Sequence, residues 1–177
     1  MNLYFLRHAN AGQRKSNPIL DQKRSLDKEG KQQCIQLGAV LSALKVHFDL
    51  VLSSPLKRAL QTAALVGTET GYEKKIQLSQ ALTPGGTWDD FQRLLDSLNG
   101  HEDVLLVGHS PNQPEFLNRL LCAASNGGGV VRLRKGSIAA VDLQRAPAKL
   151  QWLLDPRIVR AVQASVTKRS RAKISRK

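Results

Sequence analysis

Short apolar runs separated by segments of helical periodicity predict a three-layer α/β/α sandwich with a mostly parallel central sheet. Three observations carry this. The runs Leu3 to Leu6, Leu50 to Leu52 and Val104 to Val107 are continuous rather than alternating, as in strands buried on both faces. Segments with apolar residues at three- and four-residue spacing lie between them. Two late strands, Ser137 to Leu143 and Lys149 to Leu154, are spaced as a hairpin through Arg145-Ala146-Pro147 near one edge of the sheet.

The elements follow in order. Asn2 to Leu6 forms a first strand, with Arg7 and His8 at its carboxyl end. A loop rich in Asn, Gly, Ser and Pro covers Asn10 to Asp21, and Asp27 caps a helix continuing towards Lys45. Cys34, Leu37, Gly38, Leu41 and Leu44 give that helix its apolar face. After Leu50-Val51-Leu52, Ser54 can cap and Pro55 can open a helix to about Val66. Thr83-Pro84-Gly85-Gly86 reads as a loop, and a helix runs from Thr87 or Trp88 to Leu98. Asp103 to Val107 is a strand, broken by Gly108-His109-Ser110-Pro111-Asn112 before a helix from about Gln113 to Ala123.

Composition bounds the function. With 177 residues, 41% hydrophobic and 23% charged, the chain suits one domain with one substantial core. We assign residues 1–160 to that domain and 161–177 to a flexible basic tail. Val159, Val162 and Val166 allow a short amphipathic helix after Pro156, before the last ten residues, which carry six positive charges and no negative one. No run approaches the ~20 apolar residues that span a bilayer, and Arg7 interrupts the apolar N-terminus before it could act as a signal segment. A cytoplasmic location is the expectation. Cys34 and Cys122 are expected as buried thiols, since they form neither a disulfide framework nor a zinc spacing. The net charge of +13 favours anionic partners without choosing among them.

In open α/β sheets, ligands bind beyond the carboxyl ends of the strands. Three such ends here carry Arg7-His8, Ser53-Ser54 with Arg58, and Gly108-His109. Taken singly, each also fits a surface pair, an ordinary helix start or a satisfied core histidine. Together they supply a neutral imidazole as nucleophile and fixed donors for phosphoryl oxygens. Arginine binds such oxygens bidentately and keeps its charge.

Five segments, Leu6 to Ala11, Arg24 to Gly30, Ser53 to Ala63, Leu82-Thr83-Pro84 and Val107 to Pro111, resemble in order the motifs of the histidine phosphatase superfamily. Their spacing is similar to its SixA-type phosphohistidine phosphatase branch, over Met1 to about Leu154. The resemblance implies a phosphoglycerate mutase-like fold and a phosphatase that hydrolyses phosphoryl groups through a phosphohistidine intermediate on His8. It also implies that Arg7, Arg58 and His109 bind the phosphoryl oxygens, with Arg24 as a further phosphate-binding residue. No metal or cofactor is implied, and the histidines and carboxylates show no ligand spacing. His47 and His101 lie outside the motifs and are expected at the surface.

Two positions depart from the family pattern. Ala9 stands where much of the superfamily has Gly, although Ala is familiar in the SixA-like branch. Ala81 stands where many relatives place a glutamate that would protonate the leaving group, with Asp21, Asp89 and Asp90 as candidate substitutes. Its loss matters most for alkyl esters, where an acid is worth on the order of 10²–10⁴-fold. Labile donors such as protein-borne phosphohistidine are therefore the expected substrates. A broad-specificity small-molecule or polyphosphate phosphatase is the alternative, and a non-catalytic polyanion-binding module is the second. Nucleic acid or polyphosphate contact by the basic tail is the less favoured role for residues 161–177.

Overall fold

A computed structural model describes residues 1–122, 131–144 and 146–164. The elements are β1 (Asn2–Arg7), α1 (Pro18–Gln22), α2 (Lys28–Ala43), β2 (Leu50–Ser53), α3 (Lys57–Glu69), β3 (Gln77–Leu78), a 3₁₀ turn (Gln80–Leu82), α4 (Trp88–Asp96), β4 (Asp103–Gly108), α5 (Asn112–Leu121), β5 (Ile138–Asp142) and β6 (Lys149–Leu154). A last helix, α6, occupies 156–164. The sheet order is β3-β2-β4-β1-β5-β6. Four strands on one side run parallel, and β5 pairs antiparallel with both β1 and β6.

The continuous apolar runs are explained by burial on both faces. Along β1, Tyr4 and Leu6 join one core with Leu37 and Leu41 of α2 and Ala63 and Val66 of α3. Leu3 and Phe5 join the other, with Phe91 of α4 and Phe116 and Leu117 of α5. Period-two geometry sends alternate residues of a strand to opposite faces, so two apolar layers require every position to be apolar. This is the phosphoglycerate mutase-like α/β/α arrangement. Among the described residues no helix is long and apolar enough to cross a membrane.

Several boundaries differ from the sequence reading. Asp27 caps α2, its carboxylate accepting from the Gly30 N–H at 2.7 Å, but Leu44 lies past the helix end and is exposed. The third helix starts at Lys57 rather than at Ser54-Pro55, with Leu56 in extended conformation as its N-cap. The segment expected as a loop over Asn10 to Asp21 gives way at Pro18 to α1, capped by Asn17, whose side chain accepts from the Ile19 N–H. Cys34 is buried as expected, whereas Cys122 is exposed where α5 ends. Arg145 of the hairpin turn, Ala123, Val166 and the basic run of the tail lie outside the described residues. The α6 helix passes residue 160, and the Gln163 amide donates to the Gln36 carbonyl at 3.2 Å.

One close approach holds the segment after β1. The Asp27 N–H donates to the Asn10 carbonyl, and a Cβ at Gly30 would stand 1.9 Å from that oxygen. No side-chain rotation relieves a clash with backbone. Gly30→Ala is expected to cost about 1–3 kcal/mol, read as a lower urea midpoint at unchanged slope.

Candidate active site

Strand register assembles the site. Arg7 is paired with Gly108 across β1 and β4, and Ser53 with Val107 across β2 and β4. The ladder continues one residue further on each side. The His8 N–H donates to the Gly108 carbonyl at 3.0 Å, and the Ser54 N–H to the Val107 carbonyl at 2.9 Å. His8, Ser54 and His109 therefore emerge side by side at the carboxyl edge of the sheet.

The hydrogen bonds of His8 define its tautomer. Its Nδ1 lies 2.8 Å from the Ala9 carbonyl, which can only accept, so Nδ1 carries the hydrogen. The lone pair is left on Nε2, where the Arg58 Nε–H donates to it at 3.3 Å. Burial, reinforced by the charges of Arg58, Arg7 and Arg24, pushes the His8 pKa down to about 3, against the opposing pull of the Ala9 carbonyl. The imidazole is neutral and ready to act as a nucleophile across the physiological range.

His109 lies beside it, with ring centroids 5.0 Å apart. Its Nε2 is 2.9 Å from the Ser54 hydroxyl. That hydroxyl accepts from the Leu56 N–H and retains its own hydrogen. Donation of that hydrogen to Nε2 would place the His109 proton on Nδ1, a buried atom without a hydrogen-bond partner among the described residues. Burial first, then the neighbouring His8 and the arginines, depress the pKa of His109 strongly. At neutral pH it is an uncharged imidazole and not a cation.

The arginines converge from three elements. Arg7 at the end of β1 donates through Nη1 to the Leu133 carbonyl at 2.9 Å, and its buried Nε has no hydrogen-bond partner among the described residues. Arg58, in the first turn of α3, donates through Nη1 to the Asp21 carbonyl at 2.9 Å. Arg24 donates through Nε to the Asp21 carboxylate at 2.9 Å and through Nη1 to the Ala11 carbonyl. Thr62 of α3 accepts from the Ala9 N–H and donates to the Arg58 carbonyl, tying α3 to the segment after β1. All five residues expected at the site, Arg7, His8, Arg24, Arg58 and His109, line one cavity of about 1100 Å³.

The candidate acids separate. Asp21 lines the cavity and also pairs with Arg58 at 3.6 Å. The Lys15 N–H, together with Arg24 and Arg58, holds its pKa down at about 2, so it is an ionised counter-charge. Asp90 completes the Thr87 capping box of α4 and bonds to Arg93. Neither Asp89 nor Asp90 lines the cavity. Ala81 is buried against the chain at Gly86, where a Cβ would stand 2.2 Å from the Ala81 carbonyl. His47 is exposed, and the half-exposed His101 bonds to Asp49.

Three cationic lining residues, Arg14, Lys15 and Lys135, escaped the sequence reading. Lys135 follows β4 and α5 at long range and enters the cavity from the turn before β5. Its only local signal was the Lys-Gly pair, since Gly136 adopts a φ of +78°.

A model of the histidine phosphatase superfamily (branch 1) matches residues 3–89. An uncharacterised protein of Picosynechococcus sp. is 32% identical over 154 residues, 85% of this chain and 89% of that protein. The chain belongs to the histidine phosphatase superfamily. Within it, a broad-specificity phosphatase of Saccharomyces cerevisiae is 36% identical over 67 residues, 37% of this chain and 29% of the yeast protein. The structure of the protein histidine phosphatase SixA complexed with tungstate superposes with a TM-score of 0.79 at 25% identity, covering 90% of this chain and 99% of the other. This histidine phosphatase is thus similar in fold to a SixA protein over nine-tenths of its chain.

Holding His8 and His109 neutral has a consequence for stability. The unfolded chain takes up protons below the ordinary imidazole value of 6.5, while the folded His8 refuses them until about pH 3. Stability should therefore fall as the pH drops below 6.5, by up to about 1.4 kcal/mol per pH unit for each such histidine. Below the ordinary carboxylate value of 3.8, Asp21 adds to the loss in the same direction. Urea unfolding between pH 7 and pH 4 should show a shallower slope in His8→Ala protein, and an unchanged slope would contradict this account.

Proposed function

We propose that this histidine phosphatase hydrolyses phosphoryl groups through a phosphohistidine on His8, and that its substrate is a protein-borne phosphohistidine in the cytoplasm. The observation that carries the reading is a pair of buried nitrogens without hydrogen-bond partners among the described residues, Arg7 Nε and His109 Nδ1, beside an imidazole whose lone pair lies on Nε2 and is met by the Arg58 Nε–H at 3.3 Å. Buried donors are normally bonded, so unmet ones around a nucleophile fit phosphoryl oxygens.

The substrate phosphorus docks against Nε2 with its oxygens taken by Arg7, Arg58, His109 and Arg24. Nε2 attacks in line, the N–P bond of the substrate breaks, and the leaving nitrogen takes a proton from solvent. The Nδ1–H bond to the Ala9 carbonyl stabilises the positive charge that spreads over the imidazole when Nε2 binds phosphorus. Water then attacks the same phosphorus, releasing inorganic phosphate and restoring His8. Asp21 is ionised and occupied by two arginines, which leaves no carboxylic acid among the lining residues to protonate an alkoxide. A nitrogen leaving group needs that acid less than an alkoxide does. The cavity also favours a second reading, a broad-specificity phosphatase for small molecules, because it is wide enough to admit them.

Wild-type protein should capture phosphate on His8, seen by mass spectrometry under alkaline conditions, and His8→Ala should lose both capture and turnover. Arg58→Ala should lower kcat/KM by on the order of 10²–10³-fold. A phosphohistidine peptide should exceed alkyl phosphates in kcat/KM by at least about 10²-fold. Equal rates would favour the broad-specificity reading, and absence of capture would favour a module that only binds polyanions.

A further inference from the structure

The main cavity is lined by six cationic side chains, Arg7, Arg14, Lys15, Arg24, Arg58 and Lys135, and by a single carboxylate, Asp21. Asp21 answers Arg24 and Arg58. One phosphoryl group, in the reading above, occupies Arg7, Arg58, Arg24 and His109. Lys135 remains. Its Nζ donates to the neutral amide oxygen of Asn10 at 3.1 Å, and among the described residues no carboxylate forms an ion pair with it.

Lys135 differs from the rim cations Arg14 and Lys15, which are exposed, because its backbone is clamped to the catalytic strand. The Gly136 N–H lies between the carbonyls of Arg7 and His8, at 3.0 and 3.2 Å. The Ser137 N–H donates to the Arg134 carbonyl, and the Arg134 N–H to the Ser137 hydroxyl, closing the turn. Arg7 in turn donates to Leu133, just before it. The turn that orients Arg7 therefore also carries Lys135 into the cavity. Burial, Arg24 and Arg7 push the ammonium's pKa down, while Asp27 and Glu29 act more weakly in the opposite sense. The ammonium thus stands half-buried beside arginines, with no carboxylate in salt-bridge contact among the described residues.

We propose that Lys135 is a second anion site, taking a carboxylate or phosphate that the substrate carries beside the phosphoryl group being transferred. The ammonium exchanges its neutral Asn10 partner for a charged one, which strengthens the hydrogen bond. The substrate class is then a phosphoryl group with a second negative charge nearby, supplied by an acidic residue flanking a phosphorylated side chain or by a second phosphate on a small molecule. The inference rests on the phosphatase reading for the position of the first phosphoryl group.

The test uses full-length His8→Ala protein, which binds without turnover, and three probes measured by calorimetry: phenyl phosphate, 4-(carboxymethyl)phenyl phosphate and 1,4-phenylene bisphosphate. At least one of the two probes with a second anionic group should bind about fivefold tighter than phenyl phosphate, the gain of one partly exposed ion pair. Adding Lys135→Gln should abolish that gain, and Lys135→Arg should keep it. A gain for the carboxylate probe points to an acidic flank, and a gain confined to the bisphosphate points to a small molecule. Equal affinities for all three, or a gain that survives Lys135→Gln, would overturn the site. If wild-type protein captures phosphate on His8 while no second-anion gain is seen, the phosphatase reading stands and Lys135 loses its role.

Discussion

The parallel pairing of β1 with β4 brings the two site histidines together. Arg7 opposite Gly108 leaves His8 and His109 as the next residues along two adjacent strands, and β2 adds Ser54 from the other side of β4. Neighbouring strands lie ~4.8 Å apart, and the two imidazole centroids lie 5.0 Å apart. A shift of one residue in this register would send every β1 side chain to the opposite face and carry His8 out of line with His109. The apolar layers on both faces, Tyr4 and Leu6 on one and Leu3 and Phe5 on the other, oppose that shift.

On this frame rests an electrostatic arrangement that is unfavourable by itself. Three arginines surround a buried histidine, and the histidine responds by staying neutral. The Ala9 carbonyl selects the tautomer with Nδ1 protonated, so that Nε2 is the basic nitrogen. Asp21 shields Arg24 and Arg58 from one another, and its hold on both sets the resting geometry of the guanidinium groups. The surplus positive charge, concentrated in a cavity with low-dielectric walls, attracts anions by field as well as by contact.

Two clamps fasten the chain around the end of β1. Asp27 and Gly30 at the start of α2 grip the Asn10 carbonyl, and the 134–137 turn grips the carbonyls of Arg7 and His8. Each relies on a glycine, at position 30 for close approach and at position 136 for a left-handed backbone. Thr62 makes a third link, from α3 to Ala9. The chemistry thus sits on strand ends and helix starts, and the intervening segments are fastened locally.

The sequence alone determined the layer architecture, since continuous apolar runs between segments of helical periodicity have few other solutions, and it also determined the ordered motifs that contain Arg7, His8, Arg24, Arg58 and His109. Strands of two residues such as β3, and the short helix α1, left no period to read. The exposure of Cys122 depended on where α5 ended, which local pattern did not define. Only the tertiary structure decided that Asp21 is a counter-charge while Asp89 and Asp90 lie elsewhere, because all three look alike as carboxylates near helix starts. It alone brought in Lys135, 127 residues after His8 in the chain. Periodicity and motifs record what a residue needs from its near neighbours in sequence, whereas charge pairing and cavity lining depend on distances that only strand register and packing create.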